Sequence, residues 1–139
     1  MVDNLAASQA PSAGSMSRGL NITLWVLQVI LAVGFALFAL MKFSGAPDAV
    51  VVFEEMGTAG WMPYVIGSLE ILGAIGLLIR RVAGLAAVAF VALMVGAVLS
   101  HLILGVGSPI LAIVLLILSA LVAYGRWGSM SGTTGKDRA

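Results

Sequence analysis

The chain has no cysteine. That excludes structural disulfides, cysteine-held metals and any thiol relay within it, and it leaves no thiol from which to read a compartment. Histidine is almost as scarce, with His101 the single one in 139 residues. A zinc site needs several nitrogen, sulfur or carboxylate ligands, and a b-type haem held between two helices needs two histidines. Neither is expected, and a c-type haem has no cysteine to attach to. Charge is sparse too: 9% of residues are charged, against about 25% in a soluble domain. The net charge of +1 makes no case for nucleic acid. Gly105-Val106-Gly107 lacks the strand and the further glycines of a phosphate loop. No Ser/His/Asp set has a spacing that helices would bring together.

What is present is apolar. The hydrophobic share is 61% and the mean hydropathy is +1.14, where soluble domains are about 45–50% apolar. A spanning helix takes roughly 17–25 residues. Four runs qualify, at about 22–42, 63–79, 83–104 and 109–125, the second at the short end. The expected fold is all-α: a four-transmembrane-helix bundle forming one membrane domain over about 21–127. Asn21 is the expected cap of the first span. A secretory signal is the rival reading of the N-terminus, but the first run exceeds the usual apolar core of about 7–15 residues and no A-x-A site follows it. The polar tails, about 1–20 and 128–139, are expected to be disordered.

Gly and Pro punctuate the connections. After Phe43-Ser44-Gly45-Ala46-Pro47-Asp48, residues 47–56 read as a short interfacial helix with Pro early, Asp48 in its first turn, and Glu54 and Glu55 toward water. An irregular loop is the alternative. Trp61 and Tyr64 follow where an aromatic belt belongs. Arg80-Arg81 is a tight turn, Gly105 to Pro109 a further break, and Gly125-Arg126-Trp127 the expected end of the fourth span. On this plan Arg18, Arg80, Arg81, Arg126, Lys136 and Arg138 fall on one side and Lys42 alone on the other. The side rich in Lys and Arg is cytoplasmic. Both termini are therefore expected inside a cytoplasmic membrane, with the short helix outside.

One carboxylate sits within the second run. Glu70 is flanked at i−3, i+3 and i+4 by Gly67, Gly73 and Ala74, which share its face and invite close packing. At about 1.5 Å per residue, Glu70 lies roughly 10 Å below the outer end of its span and His101 roughly 5–6 Å below that of the third. Lys42 closes the first span at the same surface. An intramembrane acid calls for a partner or a wet cavity. A lysine stem can run along apolar surface while its ammonium finds that acid. The candidate site is thus an outer-half polar pocket of Lys42, Glu70 and His101, with no catalytic or metal-ligating residues assigned. The plainer readings are a snorkelling Lys42 and a packed, interfacial His101. Gln28 and Ser119 are expected to make interhelical hydrogen bonds.

Several features together resemble the DoxX family, and its DoxX-like branch in particular. They are Phe38-Ala39-Leu40-Met41-Lys42-Phe43, Pro47 and Phe53 in the outer segment, Ile66 through Ala74 around Glu70, and Val95-Gly96-Ala97-Val98-Leu99-Ser100-His101. The resemblance covers about residues 22–124. It implies a four-helix protein of bacterial cytoplasmic membranes, some of whose relatives are subunits of thiosulfate–quinone oxidoreductases or partners in oxidative-stress complexes. Without cysteine, thiol redox chemistry does not carry over. The leading functional reading is a non-catalytic membrane component of a redox or stress system, with other redox proteins, the bilayer and a second copy of the chain as candidate partners. The alternative is a binder of a quinone or another small amphipathic ligand through Lys42, Glu70 and His101. A third is a small proton-coupled transporter.

Overall fold

The computed structural model describes residues 17–131, with side chains through residue 128. It is all-α. The helices are α1 (Arg18–Phe43), α2 (Pro47–Glu55), α3 (Met62–Leu78), α4 (Ala83–Leu104) and α5 (Ile110–Ser131). Helices α1, α4 and α5 are long and apolar enough to cross a membrane, and α3 is a shorter apolar helix of 17 residues. Each presents large side chains outward, such as Leu37, Leu72, Ile103 and Ile117. Helices apolar all round belong in lipid or a large core, and a bundle this small has no large core. The arrangement is a four-helix membrane bundle with α2 as the short helix between the first two spans.

Two helix ends differ from the sequence expectation. Ser17, not Asn21, caps α1: its Oγ accepts from the Leu20 N–H at 3.3 Å. The helix starts one turn early, and Asn21 lies inside it with its Oδ1 accepting from Arg126 of another helix. At the other end, α5 runs through Gly125-Arg126-Trp127 to Ser131. Gly125 is not a stop but a contact. A Cβ there would lie 2.6 Å from Leu24 Cδ2, so the missing side chain lets α1 and α5 close on each other. The remaining tail residues, and residues 1–16, lie outside the described part. Helix α2 follows its signals, with Pro47 in its first turn beside Asp48, and Glu54 and Glu55 exposed.

The four long helices close a ring: α1 packs on α3 and α5, and α4 on α3 and α5, with α1–α3 and α4–α5 the most extensive pairs. The short Arg80–Arg81 turn makes α3 and α4 antiparallel neighbours. The glycine face of α3 does turn inward. Gly67, Glu70, Ala74 and Leu77 are buried along it. A Cβ on Gly73 would clash with Phe90 Cζ. That space lets Phe90 of α4 reach the bundle centre, where it stacks on Phe35 of α1 at 3.7 Å between centroids and 4° between planes. Around this pair lie Leu31, Leu77, Ala87 and Val122. The core is therefore narrow and tight at mid-height, and space is left at the Lys42 end.

Candidate functional site

Lys42 is in the last turn of α1, and Glu70 is midway along α3. The packing of α1 on α3 brings them together. The Lys42 Nζ donates to both carboxylate oxygens of Glu70, at 2.9 Å to Oε1 and 3.0 Å to Oε2. The Glu70 side chain is only 3% exposed and that of Lys42 12%. Two local features hold the ammonium inward. Its free side faces the Phe38 ring, 5.7 Å from the centroid. Phe43, one residue on, lays its ring over Gly67 and against Tyr64, 6.2 Å between centroids, which closes the groove beside the lysine stem. The pair is a neutral, bidentate unit set in apolar wall.

His101 lies near the end of α4 and makes no hydrogen bond or ion pair with those two residues. Its Nδ1 is 2.7 Å from the Val106 carbonyl oxygen. The chain reaches that oxygen by a compact turn. Gly105 (φ +67°) ends α4 with its N–H on the His101 carbonyl, and Gly107 (φ +67°) packs on the imidazole, where a Cβ would sit 3.1 Å from Cε1 and Nδ1. A left-handed backbone at both positions is what glycine permits at little cost.

What unites the three residues is a cavity of about 940 Å³ at the Lys42 end of the bundle. Lys42, Glu70 and His101 all line it. All five helices contribute, with Phe35 and Phe38, Val52, Met62, Met94 and Leu115 among the apolar walls, and α2 lies against its outer side. Four methionines, Met41, Met56, Met62 and Met94, give the walls adaptable side chains. The residues that sequence reasoning placed in the outer half thus share one space, although only two of them are bonded to each other.

At the opposite end the structure contains a polar cluster that the sequence reading did not assemble. Arg126 is 4% exposed and Gln28 fully buried. The Arg126 Nε donates to Gln28 Oε1 at 2.6 Å and its Nη1 to Asn21 Oδ1 at 2.9 Å, with the guanidinium 5.7 Å from the Trp25 ring. Gln28 in turn donates to the Leu77 carbonyl at 2.5 Å. That carbonyl is one of the last in α3, which have no partner within the helix. A cation beside the negative end of a helix is favourably placed, so the cluster ties α1, α3 and α5 together. The available signal was Asn21 and Gln28, polar and seven apart on one face of an apolar helix. Gln28 meets the expectation of an interhelical bond. Ser119 does not: it is fully buried with its Oγ unpartnered among the described residues. Of the other buried polar side chains, Gln28 and Glu70 are bonded, and Arg126 is bonded through Nε and Nη1 while its Nη2 is buried without a partner among the described residues.

Among known proteins, residues 26–124 match the DoxX-like family. Over 85 residues the chain is 26% identical to a protein of Bacillus subtilis (strain 168) named "Putative oxidoreductase CatD", a match covering 61% of this chain and 63% of that protein. The chain therefore spans somewhat less than two thirds of that relative's length. No solved structure matches. The family match begins in the third turn of α1, ends in α5, and contains the whole cavity with Lys42, Glu70 and His101. On that match over most of its length, the chain belongs to the DoxX-like family of membrane proteins.

Proposed function

We propose that this protein is an integral membrane component of a redox or oxidative-stress system, and that its part is to bind a small neutral amphipath of the quinone class. The observation that carries this reading is the cavity. Ligand pockets are typically about 300–1,000 Å³, mostly apolar, with a few placed polar groups. Here an apolar space of about 940 Å³ has an ion pair on one wall and an imidazole on another. The pair has no net charge, which suits a neutral ligand better than an ion. The likeness to a protein named as an oxidoreductase supports the redox setting. No residue set in the cavity supplies a reaction by itself, so the role is binding or presentation to partner proteins. In the proposed placement the protein lies in the cytoplasmic membrane with both termini inside and the cavity in the outer half. A proton-coupled transporter would want a carboxylate free to load protons, and Glu70 is held on both oxygens.

The test is purification from native membranes in mild detergent, with mass spectrometry of what remains bound. A quinone, its quinol or a related aromatic lipid retained near one per chain, and lost in Leu115→Trp, which narrows the cavity, is the expected result. Retention of bulk phospholipid alone, unchanged by Leu115→Trp, would overturn the reading.

A further inference from the structure

The loop from Gly105 to Ser108 does more than connect helices. The Val106 carbonyl can only accept, so at 2.7 Å the His101 Nδ1 must be the donor. In a neutral imidazole with a protonated Nδ1, the other nitrogen, Nε2, is an acceptor. Gly107 leaves room for the ring in this position, since a Cβ there would lie 3.1 Å from Cε1 and Nδ1. Nε2 makes no hydrogen bond among the described residues, while the ring lines the cavity. A fixed acceptor therefore looks for a donor inside an apolar space.

The second polar wall has the same bias. Two of the three Lys42 N–H groups are committed to Glu70, and the ammonium faces the Phe38 ring. Each Glu70 oxygen accepts one bond there and keeps further acceptor capacity. The cavity is thus richer in acceptors than in donors. A quinone carries only acceptors on its ring oxygens; the corresponding quinol or phenol carries O–H donors on nearly the same body.

Resting on the reading of this cavity as a ligand site, we infer that it selects the hydroxyl-bearing, hydrogen-donating form of its ligand, with His101 Nε2 receiving the hydroxyl proton in a hydrogen bond. His101 is then a specificity-determining residue, and the Val106 carbonyl is the positioning group that sets its tautomer. The site holds a quinol or a substituted phenol rather than the quinone.

The experiment compares three probes on the full chain in lipid nanodiscs. They are a short-chain benzoquinol kept anaerobic, its dimethyl ether and its quinone, with binding followed by calorimetry. One hydrogen bond of ordinary strength corresponds to roughly a three- to tenfold preference. The quinol is expected to bind tighter than both others by that factor. His101→Phe, which keeps a flat ring without the nitrogens, should remove the preference for the quinol over the ether. If His101→Phe does not fold, the three-probe series on the unaltered protein decides alone. Equal binding of all three, or a preference for the quinone, overturns the inference while leaving the cavity as a ligand site. Failure of all three to bind, with the fold intact, overturns the cavity reading and the inference together.

Discussion

A carboxylate inside a membrane helix costs roughly 2.5–3.5 kcal/mol on insertion scales, and at Glu70 a single ammonium meets that cost through two hydrogen bonds. The two partners are not equivalent. Lys42 is near its helix end and 12% exposed, so without Glu70 it can turn toward water. Glu70 at 3% has nowhere to go without Lys42. Breaking a buried pair typically costs about 3–5 kcal/mol, while removing both charges costs much less. Lys42→Met is therefore expected to lower the thermal unfolding midpoint in detergent more than Glu70→Gln, and the double variant to recover part of the loss. Strict additivity in that cycle would deny the coupling. This pair was legible in the sequence because both residues lie at countable depths from helix ends marked by Gly and Pro. Arg126 was not legible. Gly125 before it reads as a stop signal, and nothing local says that Leu24 fills the space its hydrogen leaves. His101 was expected near the end of its span and lies in the last turn of α4, but its bond to Val106 depends on a loop whose turn no helical periodicity describes.

Helix positions were legible for a simple reason: in lipid the backbone must satisfy its own hydrogen bonds, so apolar runs become helices with little freedom. Their neighbours were partly legible, since short connections force antiparallel pairs. The closure of α1 against both α3 and α5 needed the side chains that fit there. Helix α3 shows how. Its glycine at position 73 admits Phe90, and Phe90 admits the stack on Phe35. Gly73→Ala puts a methyl where the ring tip lies, and overpacking of this kind typically costs about 1–3 kcal/mol. The added Phe90→Leu change is expected to relieve the clash while losing the stack, so the double variant should unfold above the single Gly73→Ala. If Gly73→Ala unfolds like the parent, the close approach of α3 and α4 is not tight. The far end of α3 depends on Gln28. Gln28→Leu leaves the Leu77 carbonyl and the Arg126 Nε without those partners, and each buried unsatisfied group costs about 1–3 kcal/mol. Arg126→Met in the same background should give back part of that loss in the same unfolding measurement; no recovery would mean that the guanidinium finds water once Gln28 is gone.

The two ends of the bundle carry different electrostatics, and this bears on where the cavity opens. Arg18, Arg80, Arg81 and Arg126 lie toward one end, and Lys42, already neutralised by Glu70, toward the other, with Asp48, Glu54 and Glu55 beside it on α2. Basic residues near helix ends are retained on the cytoplasmic side during insertion, and acids contribute little to the choice. The expected orientation therefore puts the Arg80–Arg81 turn and the C-terminus inside and the cavity in the outer half. Fusions of green fluorescent protein and of a periplasm-active alkaline phosphatase to the C-terminus read this directly: fluorescence with negligible phosphatase activity is expected. A phosphatase inserted between Gly57 and Gly60, in the connection after α2, should behave in the opposite way. A dark fluorescent fusion with strong C-terminal phosphatase would invert the molecule. The cavity, walled by α2 and lined by all five helices, would then draw its ligand from the inner leaflet, and a redox partner would have to meet it from the cytoplasm. In the expected orientation the proposed ligand would enter from the outer leaflet, past α2 beside the Lys42–Glu70 wall.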